Sequence, residues 1–128
     1  MTPEQLDAIH ALLADARRRY VLYHFLKNQR GSAEELAPQI AAWERGVSVD
    51  EVDQSAVDRV SVALVHNHLP RLADHGIVDY DARSGDVVPA EAFERARPFI
   101  EHAFDFERRT RTTEEFIHSQ NNGSSRTT

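Results

Sequence analysis

Residues 57–80, VDRVSVALVHNHLPRLADHGIVDY, decide the fold that this sequence predicts. Their apolar side chains recur at helical spacing, because steps of about 100° per residue from Leu69 return several of them to one side. The other residues on that predicted core-facing stripe are Val62, Val65, Leu72, Ala73 and Gly76. Glycine can adopt the left-handed conformation that ends many helices. We therefore predict one long helix that ends at Gly76, with Leu69 and Leu72 in the core.

A short hairpin is predicted directly after this helix. Residues 77–80, IVDY, read as a strand, and residues 81–86, DARSGD, are rich in turn-forming residues. The chain can return as a second strand at residues 86–88, before Pro89. A long helix that leads into a two-stranded hairpin is the second half of a winged helix-turn-helix. The expected fold class is therefore mainly α with a small β-hairpin, a winged helix-turn-helix with additional N- and C-terminal helices.

Two features of the central helix do not suit a helix that reads DNA. The same helical count places Val60 and Leu64 on the outer side with Asn67 and Arg71, although polar side chains do most base reading. This favours packing of the N-terminal half against another part of the chain or against a partner subunit. Pro70 removes a helix hydrogen bond and predicts a kink at residues 66–69.

Three shorter helices precede the central one, because apolar residues repeat at helical spacing over residues 3–14, 15–28 and 32–46. Residues 32–35, SAEE, have capping-box spacing, and residues 48–51, SVDE, repeat it. A short helical turn is therefore expected at 48–51, and the central helix is expected to begin near Asp53 or Ser55. Pro38 is expected to bend the third helix or to delay its start.

The C-terminal part returns to helical spacing over residues 90–109, and Pro98 is expected to divide it into two helices. From residue 110 onward the sequence is polar, which predicts a flexible tail. The predicted organisation is one winged-helix domain at residues 1–109, with a core at about 14–89 and C-terminal helices at 90–109. A flexible polar tail at 110–128 follows it.

The composition excludes several classes of protein. The chain of 128 residues has no cysteine, which excludes disulfides, thiolate metal ligands and a cysteine nucleophile. No apolar run approaches the roughly 18 residues of a membrane span and no signal peptide is visible, so a cytoplasmic protein is expected. The formal net charge is −6 and Lys27 is the single lysine, which fits a halophile or a GC-rich genome. This acidity counts against DNA binding unless one face is locally basic.

We find no pattern of catalytic or metal-binding residues. His68 and His75 lie on one side of the predicted helix, but His66 points away and no carboxylate completes a chelate. There is no phosphate-binding glycine loop and no nucleophile motif. We therefore expect no enzyme activity, no cofactor and no metal site.

The pattern LPRLADHGIVDY at residues 69–80 resembles the end of the recognition helix and the first wing strand of ArsR- and MarR-like transcription regulators. With ADARRRYVLYHFL at 14–26, IAAWE at 40–44 and residues 66–81, the chain is similar to a winged-helix domain family widespread in halophilic archaea. The resemblance covers residues 10–90 approximately. It implies a DNA-binding lineage, but no particular operator or effector.

The first functional hypothesis is a homodimeric transcription regulator that binds double-stranded DNA. The central helix would face the major groove, the hairpin tip would reach the minor groove or phosphates, and the basic run at residues 17–19 could contact phosphates. The residues expected to contact DNA are His66, Asn67, His68, Arg71, Arg83, Arg17 and Arg18. The alternative for the basic run is a solvated helix face or partners for local carboxylates, since three consecutive helical positions point in three directions.

The second hypothesis is a protein–protein interaction module on the same fold that does not bind DNA. The negative charge, Val60, Leu64 and Pro70 favour it, and a positive strip from the central helix to the hairpin would favour the first hypothesis. A homodimer is expected because the central helices and the hairpin could close a core of their own, which leaves the terminal apolar residues uncovered. The expected interface residues are Leu6, Ile9, Leu13, Phe99, Ile100, Ala103, Phe104 and Phe106.

Overall fold

The computed structural model describes the backbone of residues 1–122 and the side chains of residues 1–110. The order of elements is α1 (Pro3–Leu13), α2 (Ala16–Lys27), β1 (Gly31–Ser32), α3 (Ala33–Arg45), a 3₁₀ turn (Val49–Glu51), α4 (Gln54–Ala63), a π turn (Leu64–His68), α5 (Leu69–Asp74), β2 (Val78–Tyr80), β3 (Asp86–Pro89) and α6 (Glu91–Asn122). Of the flexible tail predicted at 110–128, the backbone of α6 covers the part as far as Asn122, and residues 123–128 lie outside the described residues. The fold is mainly α with one small sheet.

The three strands form an antiparallel sheet in the order β1–β3–β2. β2 and β3 make the predicted hairpin, in which Val78 lies opposite Pro89 and Tyr80 opposite Val87. β1 was not predicted, and it pairs with the other edge of β3, where Gly31 lies opposite Val87. A strand of two residues is too short to show a periodic pattern, and the strand that pairs with β1 is distant in sequence. Nothing local therefore marks β1, and the expected two-stranded hairpin is corrected to a three-stranded sheet.

The predicted central helix is a composite of α4, the π turn and α5, which follow one another without a loop; we call it the composite helix. In the π turn the N–H of Leu69 donates to the carbonyl of Leu64, one residue further back than in an α-helix. Pro70 comes next, and it has no N–H for the carbonyl of His66, which its ring would also crowd. The predicted irregularity before Pro70 is confirmed, in the form of a wide turn.

The π turn changes which side chains of α4 face the core. Val60 and Leu64 are only 2% and 0% exposed, whereas Val62 is 59% exposed. The prediction that Val62 faces the core while Val60 and Leu64 face outward is therefore wrong. That prediction assumed the α-helical angle at every residue. The π turn inserts one residue between Leu64 and Leu69, which are both buried, and so rotates α4 relative to α5.

Polar caps and two glycines fix the helix ends. The side chains of Thr2, Ser32 and Asp53 accept hydrogen bonds from backbone N–H groups at the starts of α1, α3 and α4. Gly46 and Gly76 have φ values of 67° and 73°, which glycine adopts without a steric penalty. The predicted beginning of the central helix near Asp53 and its end at Gly76 are confirmed, as is the short helical turn at residues 48–51.

The terminal helices pack on the core of their own chain. Ile9 of α1 and Phe93 and Ile100 of α6 are buried in the same cluster as Leu69 and Leu72. The core is therefore not closed by the central helices and the hairpin alone, as the sequence suggested. The terminal apolar residues are part of it, because burying them within the chain removes apolar surface from water.

α6 is continuous through Pro98, so the prediction that Pro98 divides it is wrong. Proline has no N–H, so the carbonyl four residues earlier has no helical hydrogen-bond donor. For Pro98 this is the carbonyl of Glu94. Both residues are exposed, so water can satisfy that carbonyl and the helix tolerates the loss. Pro38 likewise does not delay α3, which begins at Ala33. Within the described part of the chain, no helix combines the length and apolar character needed to cross a membrane.

Candidate functional site

The outer face of the composite helix carries a strip of exposed side chains, which we call the outer strip. Its members are Asp58, Arg59, Val62, His66, Asn67, Arg71, Asp74 and His75. Near its middle, Nε of Arg71 donates to Oδ1 of Asn67 at 3.3 Å. His66 lies beside this pair in sequence and is also exposed. The strip therefore presents amide, guanidinium and imidazole groups, which can hydrogen-bond to bases or phosphates.

The hairpin turn, residues 81–86, holds Arg83 at its tip, and its last residue, Asp86, is also the first residue of β3. The turn is closed by backbone hydrogen bonds from Gly85 to the carbonyl of Asp81 at 2.7 Å and from Asp81 to the carbonyl of Asp86 at 2.9 Å. The backbone N–H of Arg83 donates to Oδ1 of Asp81 at 2.9 Å, so Asp81 organises the turn from both its backbone and its side chain. The turn backbone is thus fixed, and the exposed Arg83 side chain extends from a rigid base.

Opposite charges are mixed on this side of the molecule. The outer strip and the hairpin turn together carry three arginines, at positions 59, 71 and 83, and four aspartates, at positions 58, 74, 81 and 86. These residues do not form a purely positive strip. Since nonspecific DNA affinity rises with the number of neutralised phosphates, this surface can attract DNA only through a few placed contacts.

His68 lies inside the fold and not on the outer strip. Its side chain is buried, Nη1 of Arg18 lies 3.2 Å from its Nδ1, and its Nε2 lies 3.9 Å from Oδ1 of Asp15. Arg18 also donates to the carbonyls of Leu12 at 2.9 Å and Ala11 at 3.1 Å. The predicted DNA contacts of His68 and Arg18 are therefore corrected, because both side chains tie the end of α1 to the π turn.

The contact with Arg18 selects the tautomer of neutral His68. A guanidinium group can only donate, so Nδ1 accepts and the neutral imidazole carries its proton on Nε2. Burial lowers the pKa of His68, and the charge of Arg18 acts in the same direction, while the nearby Asp15 carboxylate opposes them. A second proton on the ring would place two donors, Nδ1 and Nη1, against each other.

The other two arginines of the basic run also hold helices together. Arg17 forms two hydrogen bonds with the carboxylate of Glu44 in α3, one of them 3.0 Å long. Arg19 forms hydrogen bonds of 2.8 Å and 3.3 Å with Glu107 in α6. Carboxylates therefore pair with Arg17 and Arg19, as the alternative had it, but they lie in α3 and α6 and are distant in sequence. A phosphate contact by Arg17 would have to compete with its bidentate ion pair.

The eight predicted dimer-interface residues fall into three groups by exposure. Ile9 and Ile100 are buried in the core of their own chain and are not available to a second chain, so these two are corrected. Leu6 and Phe106 are 37% and 63% exposed. The remaining four, which are partly buried, are Leu13, Phe99, Ala103 and Phe104. The first three of these line an apolar groove of about 560 Å³ between α1 and α6.

Val62, a member of the outer strip, was predicted to face the core. A signal for its exposure was available in the sequence. Val60 and Leu64 are four residues apart, but the next buried apolar residue on the same line, Leu69, follows after five. A five-residue interval just before a proline is the pattern that a π turn produces, and it shifts the whole N-terminal half of the outer face.

Residues 10–88 match a protein family whose description is "Domain of unknown function (DUF7344)". The matched range begins inside α1 and ends inside β3, so it includes the composite helix and the hairpin turn. Neither the curated proteins nor the solved structures contain a match to this chain.

Proposed function

The chain belongs to the DUF7344 family, and we propose that it is a winged helix-turn-helix protein that binds duplex DNA as a homodimer and regulates transcription. The order helix, strand, helix, helix, strand, strand from α2 to β3 supports this fold. In that arrangement α3 supports the composite helix, which is the recognition helix, and the β2–β3 hairpin is the wing.

The observation that carries the proposal is the exposed Asn67–Arg71 pair on the composite helix, on the element that leads directly into the Arg83 turn. An α-helix with its side chains is about 10–12 Å across, and the major groove is about 12 Å wide. Asn67 can pair with adenine and Arg71 with guanine, each through two hydrogen bonds. Arg83 would contact the adjacent minor groove or phosphates.

Dimerisation would place two recognition helices on two half-sites. The surface that supports it is the apolar groove between α1 and α6, together with the exposed Leu6 and Phe106. Exposed apolar side chains that continue into an apolar groove are a common property of subunit interfaces. A twofold contact would bring the same surface of both chains together.

The charge balance supports a second candidate function, a protein–protein interaction module without DNA binding. Four aspartates stand beside the three arginines of the outer strip and hairpin turn, and Val62 exposes an apolar side chain among them. A polar surface with a central apolar residue suits a protein partner better than it suits a polyanion.

Selection of DNA from a pool of genomic fragments, at several potassium chloride concentrations, separates the two functions. DNA binding predicts that wild-type protein enriches a defined set of fragments. Arg71→Ala should lose that selectivity, because it removes a base contact, while Arg95→Ala on the surface of α6 should keep it. If wild-type protein enriches no fragment at any salt concentration, DNA binding is excluded and the interaction module is the better description.

A further inference from the structure

The π turn is tied to the rest of the chain by a buried imidazole, that of His68. Only 4% of this residue is exposed, and among the residues that the structure describes it is the single buried one with a polar side chain. A buried polar group is costly unless it is hydrogen-bonded, so the partners of the ring decide where it can lie. His68 follows Asn67 directly and precedes Arg71 by three residues. These two residues, which we call the exposed pair, therefore lie within one helical turn of the ring.

Arg18, the hydrogen-bond partner of the ring, is itself fixed by α1. Its Nη1 lies 3.2 Å from Nδ1 of His68, its Nε donates to the carbonyl of Leu12 at 2.9 Å, and its Nη2 donates to the carbonyl of Ala11 at 3.1 Å. Both carbonyls belong to the last turn of α1, where carbonyls lack α-helical donors. Arg18 therefore cannot turn away from His68 without giving up both of these hydrogen bonds.

A second proton on His68 reverses its contact with Arg18. The Nδ1–H of the charged ring would point at Nη1, so two donors and two positive charges would meet. On the other side of the ring, Nε2 lies 3.9 Å from Oδ1 of Asp15, which is too far for a hydrogen bond but close enough for attraction. Asp15 is held in place as the N-cap of α2. Because Arg18 and Asp15 are both fixed, the charged ring is the group that moves, from Arg18 towards Asp15.

The other charges that act on the ring oppose its protonation. Arg17 of α2, which is paired with Glu44 of α3, and Arg71 of α5 add positive charge near it. Both charged side chains of α4 are exposed on the outer strip. Burial lowers the pKa of His68, and the charges of these arginines and of Arg18 act in the same direction. The ring is therefore neutral at neutral pH and takes up its second proton in acid.

The backbone of the π turn can follow a movement of the ring. The hydrogen bond from Leu69 to Leu64 encloses one residue more than an α-helical turn, and Pro70 has no N–H to donate to the preceding turn. The backbone beside His68 therefore has fewer helical hydrogen bonds than an uninterrupted α-helix would have. A displaced ring can be accommodated by a change of winding at this point, and such a change moves the exposed pair.

We propose that uptake of a proton by His68 displaces its ring from Arg18, shifts the exposed pair and releases the protein from DNA. This inference deepens the proposed function and rests on it. With neutral His68, the exposed pair has the geometry that reads two bases. With the charged ring, the same two side chains lie in altered positions and lose their hydrogen bonds to the bases.

The sign of the pH effect separates this movement from simple charge attraction. DNA is negatively charged, so attraction alone favours a protonated His68 and a higher affinity in acid. Protonation of the exposed His66 and His75 on the outer strip would act in that same direction. A lower affinity in acid is therefore the result that only the displacement of the ring predicts.

NMR of the isotope-labelled full-length protein tests the movement without DNA. Between about pH 7.5 and 5, the imidazole signals of His68 report its titration. NOE contacts between this ring and the side chain of Arg18 should weaken with the same midpoint, and the side-chain amide signals of Asn67 should shift. His68→Gln should remove the Asn67 shift. His24→Gln, which replaces a histidine near the other end of α2 that contacts the carbonyl of Arg30, should keep it. NOE contacts that persist through the titration would overturn the inference.

Fluorescence anisotropy at constant potassium concentration tests the release from DNA, with a labelled duplex from the enriched genomic fragments. Below the pH at which His68 titrates, the affinity of wild-type protein should fall by about tenfold for each pH unit and each subunit, since each ring must lose a proton before DNA binds. His68→Gln should lose this dependence and His24→Gln should keep it. Asp15→Asn keeps an N-cap but removes the attraction for the charged ring, so its loss of affinity should begin at lower pH.

Several results would contradict the switch. An affinity that rises in acid would mean that charge attraction dominates, and an equal loss in His68→Gln would mean that another group titrates. A loss that coincides with the loss of the helical circular dichroism signal would mean that acid unfolds the chain. If His68→Gln does not fold, an unchanged onset in Asp15→Asn overturns the inference. Absence of DNA binding at every pH contradicts the proposed function and the release with it, and the NMR titration then decides whether proton uptake moves the π turn.

Discussion

The backbone N–H of Leu69 donates to the carbonyl of Leu64, and both side chains are buried. This one hydrogen bond of π type sets the rotation of α4 relative to α5 within the composite helix. It brings Ala56, Val60 and Leu64 into the same core as Leu69 and Leu72. It also turns Val62 outward onto the outer strip, where that side chain is 59% exposed.

Two valines in α4 test this rotation. Val60→Ala should lower the free energy of unfolding by about 1–3 kcal/mol, because it removes two buried methyl groups and leaves a cavity. Val62→Ala should change it by about 0.5 kcal/mol or less, because that side chain is exposed and alanine favours the helix. Urea unfolding of both variants decides the matter, and a larger loss for Val62→Ala would contradict the π turn.

The helix ends could be predicted from the sequence because each depends on residues within one turn. The caps at Thr2, Ser32 and Asp53 and the positive φ at Gly76 follow from local side-chain chemistry. β1 could not be predicted, since it exists as a strand through its pairing with β3, which is distant in sequence. The prediction of which side chains of α4 face the core was wrong, because the single residue inserted in the π turn rotates every position before it.

Two adjacent arginines should differ in their effect on stability. Arg18→Ala should cost about 1.5–3 kcal/mol, because the guanidinium satisfies two carbonyls at the end of α1 and the ring of His68. Arg17→Ala should cost about 1 kcal/mol or less, because its ion pair with Glu44 is partly exposed. Thermal or urea unfolding of the two variants measures this difference. Equal losses would mean that Arg18 does not anchor α1.

The pH dependence of stability should report on His68. Its pKa in the folded protein is lowered by burial, so unfolding takes up a proton when the pH falls below the ordinary value of 6.5. The stability that His68 contributes is therefore fully present above pH 6.5, and it is lost as the pH falls from there towards the folded-state pKa. Asp15 also has a lowered pKa, so its contribution is lost only near and below its ordinary value of 3.8.

Two histidine variants isolate this effect in urea unfolding between about pH 7.5 and 5, a range that spans the ordinary pKa of histidine. His68→Gln keeps an acceptor for Arg18 but cannot ionise, so it should remove most of the loss of stability on acidification. His75→Gln replaces an exposed histidine on the outer strip and should retain that loss. An unchanged pH profile in His68→Gln would show that His68 is not the group responsible.

The dimer proposal predicts a specific effect of Phe106. Phe106→Glu places a charge on an exposed apolar position of α6 and should dissociate the homodimer without unfolding the chain. Val62→Glu, at a similarly exposed position on the outer strip, should leave the dimer intact. Sedimentation equilibrium at tens of micromolar protein, a concentration at which subunits of ordinary affinity associate, measures the oligomeric state of both variants. A wild-type monomer under these conditions would exclude the dimer.

The site was partly predictable for a simple reason. The helical angle was counted from Leu69, and Asn67 and Arg71 lie close to that residue, so the π turn did not disturb their position and they were placed correctly on the exposed face. His68 could not be placed, because its burial depends on Arg18, which is distant in sequence. The ion pairs of Arg17 and Arg19 depend in the same way on Glu44 of α3 and Glu107 of α6.

The most direct test of the proposed function is the salt dependence of duplex DNA binding, measured by fluorescence anisotropy for wild-type protein and Arg83→Ala. Wild-type protein should bind, with an affinity that falls linearly in the logarithm of potassium concentration. Arg83→Ala should weaken binding on all sequences and reduce that slope by about one for each subunit, because one phosphate contact is lost. Equal slopes for the two proteins would show that Arg83 and its hairpin do not contact the DNA. No affinity of the wild-type protein for DNA at any salt concentration would contradict the proposal as a whole.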